Sequence, residues 1–477
     1  MQLLPRLPPT PIRGPRPIPL LGPTGGLLRF FADPIACMRS LHARYGAIAA
    51  VSDRDPSLVC AFGAEYNRKV LSDAQLFHNW ADLLFEVPKD SAPVRINQAL
   101  PGMNGEVHRR QRRMMMPVFN KVNIEGLHGE IAELTGRCLE RLPVGLTVDM
   151  SAEMGELTRS ITLRCLYGVD ASSGEEDLGR MATRYLEGLT SVGAMLLPRM
   201  IPGTPYHAFM HLAERFEGRI LALIRERREK PEGRRDLLSH LIGAHDDDGS
   251  KLTEDELIGQ AAVLFIAAYE TTAFTLSWTL FLLSQHPRVY GDLVDELAGA
   301  LRGGAAIPAD FGKLPLLDGV IKESMRLLPA TPFLFMRRAK GGFELGPYTL
   351  PEGATVIVSP LITHRVPEVF PGPQRFQPER WRDISPSPYE YMPFGAGPRM
   401  CIGAGFAGLV LRVALSLLVQ RFRFTLAHGA RISGKVQGIT FGPKHGLPML
   451  VVPQDRRFPA PGLVRGDIGE LVDLDKA

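Results

Sequence analysis

Between residues 254 and 285 the chain reads EDELIGQAAVLFIAAYETTAFTLSWTLFLLSQ, and apolar positions dominate from Leu257 onward. The run opens on Thr253 and Glu256, the pair of a capping box, with Glu254 and Asp255 where the helix dipole favours acids. Pro287 stops it. The pattern predicts one helix of roughly 50 Å, enough to cross a whole domain. Its length alone would allow a membrane span, but Glu270, Thr271 and Thr272 at its centre make that costly. A helix buried in a large core is the better reading.

From about 105 to 285 the spacing of apolar residues is mainly helical. HDDDGSK, at 245 to 251, interrupts it and reads as a solvated loop. VDELAGALR and LDGVIKESMRLLP are further helices, and AGFAGLVLRVALSLLVQRF is an apolar one. FELGPYTLPEGATVIVSP reads as short strands around a turn. The first hundred residues mix β-like runs such as AIAAV with helical ones. Residues 1–30 form a proline-rich arm, expected to lie extended on the surface. Residues 31–453 are expected to form a single domain. Residues 454–477, polar and proline-interrupted, read as a tail outside the core. The arm has no continuous apolar stretch, so neither a signal peptide nor a membrane anchor is expected.

Composition narrows the function. The net charge of +4 is too small to imply a nucleic-acid partner, and no basic and aromatic pattern of an RNA-binding sheet occurs. The five cysteines, Cys37, Cys60, Cys138, Cys165 and Cys401, are scattered and contain no CxxC. That argues against a disulfide scaffold or a zinc site and fits a reducing, cytoplasmic setting.

One cysteine has unusual surroundings. FGAGPRMCIG, residues 394 to 403, places Cys401 among Gly395, Gly397 and Gly403, just before an apolar helix. The residues leave four readings: a small buried hydrophobe, a nucleophile, part of a nucleotide loop, or a metal ligand. GAGFAG at 403 to 408 spells G-x-G-x-x-G, but no hydrophobic strand precedes it and no acid follows about 20 residues on. A nucleophile would need a base whose position the sequence does not show. A metal-bound thiolate is compatible with glycines that let a flat cofactor approach the backbone.

Phe394, Gly397, Arg399, Cys401 and Gly403 resemble the haem-binding signature of the cytochrome P450 family, F-x-x-G-x-R-x-C-x-G. The resemblance extends in family order from about residue 30 to 453. It implies a mainly α fold with a small β region (α+β), a triangular prism of helices around a buried haem b. Cys401 would then be the axial ligand of the iron. Phe394 would pack beside its sulfur, with Gly395, Gly403 and Ala267 also at the cofactor. Glu323 and Arg326, an E-x-x-R pair, would join Arg380 of PERW in a buried network holding the cysteine loop. His108 and Arg112, four apart on one helical face, would bind a haem propionate together with Arg399 and Arg337; Arg338 is the rival to Arg337.

AAYETT, 267 to 272, resembles the family's A-G-x-[D/E]-T-[T/S] over the distal haem face. Thr271 would hydrogen-bond dioxygen or water there, and Glu270 would relay protons. Ala268 departs from the usual glycine and narrows that groove. The implied reaction is dioxygen-dependent oxygenation of an apolar substrate, with electrons drawn indirectly from NAD(P)H. A peroxide-driven peroxygenase and a non-turnover haem sensor are the rivals. No flavin or iron–sulfur domain is fused here, so a separate ferredoxin or flavodoxin, with its reductase, is expected. Arg109, Arg110 and Arg113 offer it a basic surface. The enzyme is expected to be a monomer. The substrate would lie among the 77–85 segment (Phe77, Trp80, Phe85), a helix between 180 and 205, Ala268, the 331–335 turn (Phe333, Leu334) and ITF at 439–441 (Thr440, Phe441). Such a lining suits a terpenoid, steroid, fatty acid or polyketide.

Overall fold

A computed structural model of the chain describes residues 4, 7–80, 83, 85–170, 178–189, 191–230, 236–246 and 248–474. Its contacts gather into two compact units. The first comprises Met1–Pro5, His78–Glu130 and Thr158–Glu270; the second comprises Arg6–Phe77, Ile131–Leu157 and Thr271–Ala477.

The first unit is helical. The helices Gly105–Met115, Leu178–Leu189 and Pro205–Glu229 belong to it, with the first half of Glu254–Gln285. The capping box forms as the sequence predicts. Glu256 N–H donates to Thr253 Oγ1 at 3.2 Å, and Thr253 N–H donates to Glu256 Oε2 at 2.8 Å. Gly259 is required there by close approach: a Cβ would fall 2.1 Å from the Gln98 carbonyl oxygen. Where one helix was expected between 180 and 205 there are two, Leu178–Leu189 and Val192–Leu196, the second capped by Ser191. The 245–251 stretch is not merely solvated. His245 and Lys251 form a bridge, and Asp246 is buried.

The second unit holds the sheets. Strands Ile48–Ser52, Asp55–Ala61, Thr355–Val358 and Arg337–Ala339 are neighbours in that order, and Phe77–Asn79 edges the same sheet. The parallel pair aligns Val59 with Val356 and Ala61 with Val358. These are continuous apolar runs, as strands covered on both faces require. A second sheet joins Thr147–Asp149, Pro448–Pro453 and Phe422–Leu426. The apolar helix Ala404–Arg421 and the helix Pro315–Leu327 complete this core. The helices Glu254–Gln285 and Ala404–Arg421 are long and apolar enough to cross a membrane, yet more than half of each such window is buried in the protein.

Both ends of the chain depart from expectation. The 1–30 arm is not only an extended surface strap. Ile12 is fully buried in the sheet core, Ala50 N–H donates to the Arg13 carbonyl at 2.8 Å, and Pro23–Ala32 is a helix. The expected tail is not outside the core either. Ile468, Leu471 and Val472 are buried, and Arg365 donates to the Leu471 carbonyl at 2.9 Å. Their i, i+3, i+4 spacing is the apolar stripe of one helical turn, hidden in the sequence by polar composition.

Candidate functional site

Cys401 stands apart from its four counterparts. Cys37, Cys60, Cys138 and Cys165 are buried, and Cys401 is exposed. Burial pushes the thiols of the four up, that of Cys138 to about 11. They are inert packing residues. The Cys401 loop is drawn closed by Cys401 N–H donating to the Phe394 carbonyl at 2.8 Å. Gly397, at φ +70°, lies where a Cβ would come 2.3 Å from the Leu71 carbonyl oxygen, so no other residue fits. Gly395, at φ +71°, faces Leu334, and a Cβ on Gly403 would lie 3.9 Å from the Cys401 sulfur.

The E-x-x-R network forms in full, within the second unit. Glu323 and Arg326 are both 0% exposed and Arg380 is buried. Glu323 accepts from Arg326 Nε and Nη2, Arg380 Nε, Trp381 Nε1 and the Gln377 N–H, at 2.8–3.1 Å. The remaining donors of Arg326 reach the carbonyls of His364, Pro373 and Arg375. So the network grips the 364–382 segment rather than the cysteine loop itself. His364, which the motifs did not single out, carries the connection onward: its Nε2 accepts from Met392 N–H at 2.9 Å, and the Met392 carbonyl accepts from Gly395 N–H at 3.0 Å. Burial holds the His364 imidazole down to about 3, reinforced by Arg326 and Arg365. It is therefore neutral, with the lone pair that this bond needs.

Arg337 is buried and half-exposed status falls to Arg338, because side chains alternate along the strand Arg337–Ala339. Arg337 donates to the Phe335 carbonyl at 2.6 Å. Burial, and after it the Arg399 charge, lower its guanidinium to about 9. A buried guanidinium with a second, half-buried one acting on it makes a place that suits an anion. A haem carboxylate meets that demand, and the exposed sulfur amid small residues meets the demand for an axial ligand. The residues fit the cofactor.

In the first unit His108 is buried and Arg112 half-buried on one face of Gly105–Met115. What fixes that helix is non-local and invisible in its own spacing. Gln111 donates to Glu256 at 2.6 Å and accepts from Gln260 Nε2 at 2.5 Å, and Gln260 also accepts from Leu100 N–H. Each arginine of the basic cluster already has an acidic neighbour, though Arg109 and Arg113 remain exposed. Arg113 forms a two-pronged pair with Asp246 at 2.8 and 3.0 Å, Arg110 reaches Asp246 and Glu256, and Arg109 pairs with Glu106.

Along Glu254–Gln285 most residues are buried, but Ala267 is exposed and Val263, Leu264, Ala268, Glu270 and Thr271 are partly accessible. The i, i+4 spacing of 263, 267 and 271 makes this a stripe on one helical face. Thr275 Oγ1 donates back to the Thr271 carbonyl at 2.8 Å. Tyr269, beside Glu270, shares a hydrogen bond with the Thr183 hydroxyl.

The expected substrate lining divides. Phe85 joins Tyr206 and Phe209 in an aromatic cluster. Leu334 borders the cysteine loop, and Trp80 is half-buried; Ala81, Asp82 and Leu84 lie outside the described residues. Phe77, in contrast, packs edge-on against Phe343 in the sheet core. Phe333 packs on Phe30, and Phe441 stacks on Trp278 with a centroid distance of 5.4 Å. Thr440 is buried and donates to the Gln437 carbonyl, holding a hairpin turn. Phe77, Phe333 and Phe441 are structural because neighbours in their own unit already cover them.

The sequence model of the cytochrome P450 family matches residues 12–447. The chain belongs to the cytochrome P450 family. It is 30% identical over 428 residues to the cyclooctat-9-en-7-ol 5-monooxygenase of Streptomyces melanosporofaciens, covering 88% of this chain and 90% of that one. Cyclooctatin synthase of the same organism is 32% identical over 354 residues, covering 72% of this chain and 76% of the relative. Among solved structures, retinoic acid-bound cyanobacterial CYP120A1 superposes with a TM-score of 0.80 at 23% identity, over 94% of this chain and 100% of that one. This P450 is thus a haem-thiolate monooxygenase with the family's mainly α fold.

Proposed function

We propose that this P450 hydroxylates or epoxidises a hydrophobic terpenoid, using dioxygen and electrons that a separate ferredoxin or flavodoxin passes on from NAD(P)H in the cytoplasm. The observation that carries the site assignment is the exposure of Cys401, alone among the five cysteines, in a tight glycine-rich loop. The terpenoid reading is supported by the names of two relatives, cyclooctat-9-en-7-ol 5-monooxygenase and cyclooctatin synthase. It is favoured over the steroid, fatty-acid and polyketide readings on that ground.

Cys401 would hold the haem iron, and Arg337, Arg399, His108 and Arg112 its propionates. When bound, the haem supplies the one-electron and oxygen chemistry that no side chain can perform. The protein's part is to place donors and exclude water. Thr271 donates its hydroxyl hydrogen toward the oxygen-binding face, and the Glu270 carboxylate takes up a proton from solvent and returns it there. Ala267 leaves the stripe low enough for a substrate to approach, and the Ala268 methyl narrows the groove beside it.

Spin-state titration of the holoenzyme with a panel of cyclic terpenes and their alcohols tests the substrate class. A terpenoid should shift the Soret band and then be oxygenated with a ferredoxin system. Fatty acids or steroids alone giving both responses would overturn it. Full turnover with hydrogen peroxide and no reductase would favour the peroxygenase instead.

A further inference from the structure

We propose that the turn Ile18–Gly22 and the outer face of the helix Pro23–Ala32 dock this enzyme on the surface of an anionic lipid bilayer. Ile18, Leu20, Leu21, Leu28 and Phe31 are all exposed within fourteen residues. They form one surface. A Cβ on Gly25 would fall 2.8 Å from the Ile18 Cβ, so the turn folds back on the helix. Gly22 N–H donates to the Ile18 carbonyl at 2.9 Å and closes the turn. The opposite face of the helix, with Gly26 and Phe30, is buried on the sheet and on Phe333.

Leu20 has no reason to be leucine in the folded protein. Its φ of +69° is in the left-handed region that favours glycine, and its side chain is 107% exposed. A strained, wholly exposed leucine at the tip of a turn is matched to an apolar phase outside the chain.

The charge says which phase. Arg13, Arg16 and Arg29 are exposed, and residues 1–32 contain no acid. The acids that follow are engaged at home: Asp33 accepts from Ala36 N–H at 2.9 Å, and Asp53 accepts from Gly14 N–H at 3.2 Å. Apolar tips rimmed by arginine suit the boundary of acyl chains and lipid phosphates, with the chain lying on the bilayer rather than crossing it. A second copy of this chain would bring the same arginines together, which the charge opposes.

The holoenzyme should cosediment with phosphatidylglycerol–phosphatidylcholine vesicles, much less with phosphatidylcholine alone, and less at high salt. Leu20→Glu with Leu21→Glu should weaken binding roughly tenfold or more. Arg13→Gln with Arg16→Gln should weaken it by roughly fivefold per arginine on anionic vesicles only. Leu20→Gly should bind more weakly while unfolding at the same or a higher temperature, which separates docking from folding. The proposal is overturned by undiminished binding of the Leu20–Leu21 variant. It is equally overturned by wild-type protein that dimerises through these leucines without binding vesicles, or by binding lost only on charging Leu196 and Met200, a second exposed apolar cluster.

Discussion

Glu323 and Glu270 each sit inside an apolar helix, and the chain treats them oppositely. Glu323 is fully covered, and five donors surround its two oxygens. Glu270 lies on the accessible stripe of the long helix. A carboxylate whose every lone pair is engaged by its own fold cannot exchange protons with anything else. It is architecture. A half-buried carboxylate in an apolar helix costs burial energy, and the proton relay proposed above is what would retain it. On that reading the same residue type serves architecture in one helix and chemistry in the other, separated by burial.

Breaking the covered site should have the largest effect. Glu323→Ala strands two buried guanidiniums and is expected to cost about 3–5 kcal/mol. Urea unfolding should show the loss, with poor haem retention, because the 364–382 segment loses its anchor. Retention of normal stability would mean that the network does not hold that segment. Next in size, Glu270→Gln should lower turnover roughly 100-fold, about 2.7 kcal/mol of barrier, with the unfolding midpoint unchanged. A solvent isotope effect that grows in this variant would locate the defect in proton delivery. Equal turnover in variant and wild type would return Glu270 to the status of a tolerated polar residue.

Sequence spacing sees only part of this contrast. E-x-x-R and PERW announce the partners of Glu323, because an i, i+3 pair is local and the third member is a fixed motif. The cysteine loop is equally visible, since glycines at 395 and 397 are demanded by φ and by the Leu71 carbonyl. Non-local partners are not visible. Nothing in HRRQR foretells that Asp246, more than a hundred residues on, takes up Arg113, or that Gln260 meets Gln111. Phe77 and Phe441 read as pocket lining because aromatic character does not tell which face is covered. Phe343 and Trp278 cover them. The last turn near Ile468 was missed because three apolar residues among acids look like a tail until a core receives them.

His364 sharpens the contrast from the side of pH. Burial holds its folded imidazole down to about 3, against an ordinary value of 6.5, so only the unfolded chain takes up this proton between those values. Stability from His364 is complete above about pH 6.5 and is lost as pH falls toward 3. By pH 5 the loss is about 2 kcal/mol, at roughly 1.4 kcal/mol per pH unit. His364→Gln should flatten that part of the acid limb while the carboxylates still titrate. An unchanged acid limb in the variant would show that the ring is not held neutral by its surroundings.

Asp246 is the intermediate case and the smallest effect. It is buried like Glu323, but its partners Arg110 and Arg113 are half-buried and exposed. Water therefore screens the pairs and can rehydrate either guanidinium once the charge is gone. Asp246→Asn keeps the shape of the turn and should cost only about 1 kcal/mol, a shift small beside that of Glu323→Ala. The same variant releases Arg110 and Arg113 from the carboxylate. If these arginines can serve an acidic redox protein once released, reduction should quicken and become more salt-sensitive in the variant than in the wild type. A loss as large as that of Glu323→Ala would instead show that burial of the acid, and not exposure of its partners, sets the cost of breaking such a pair.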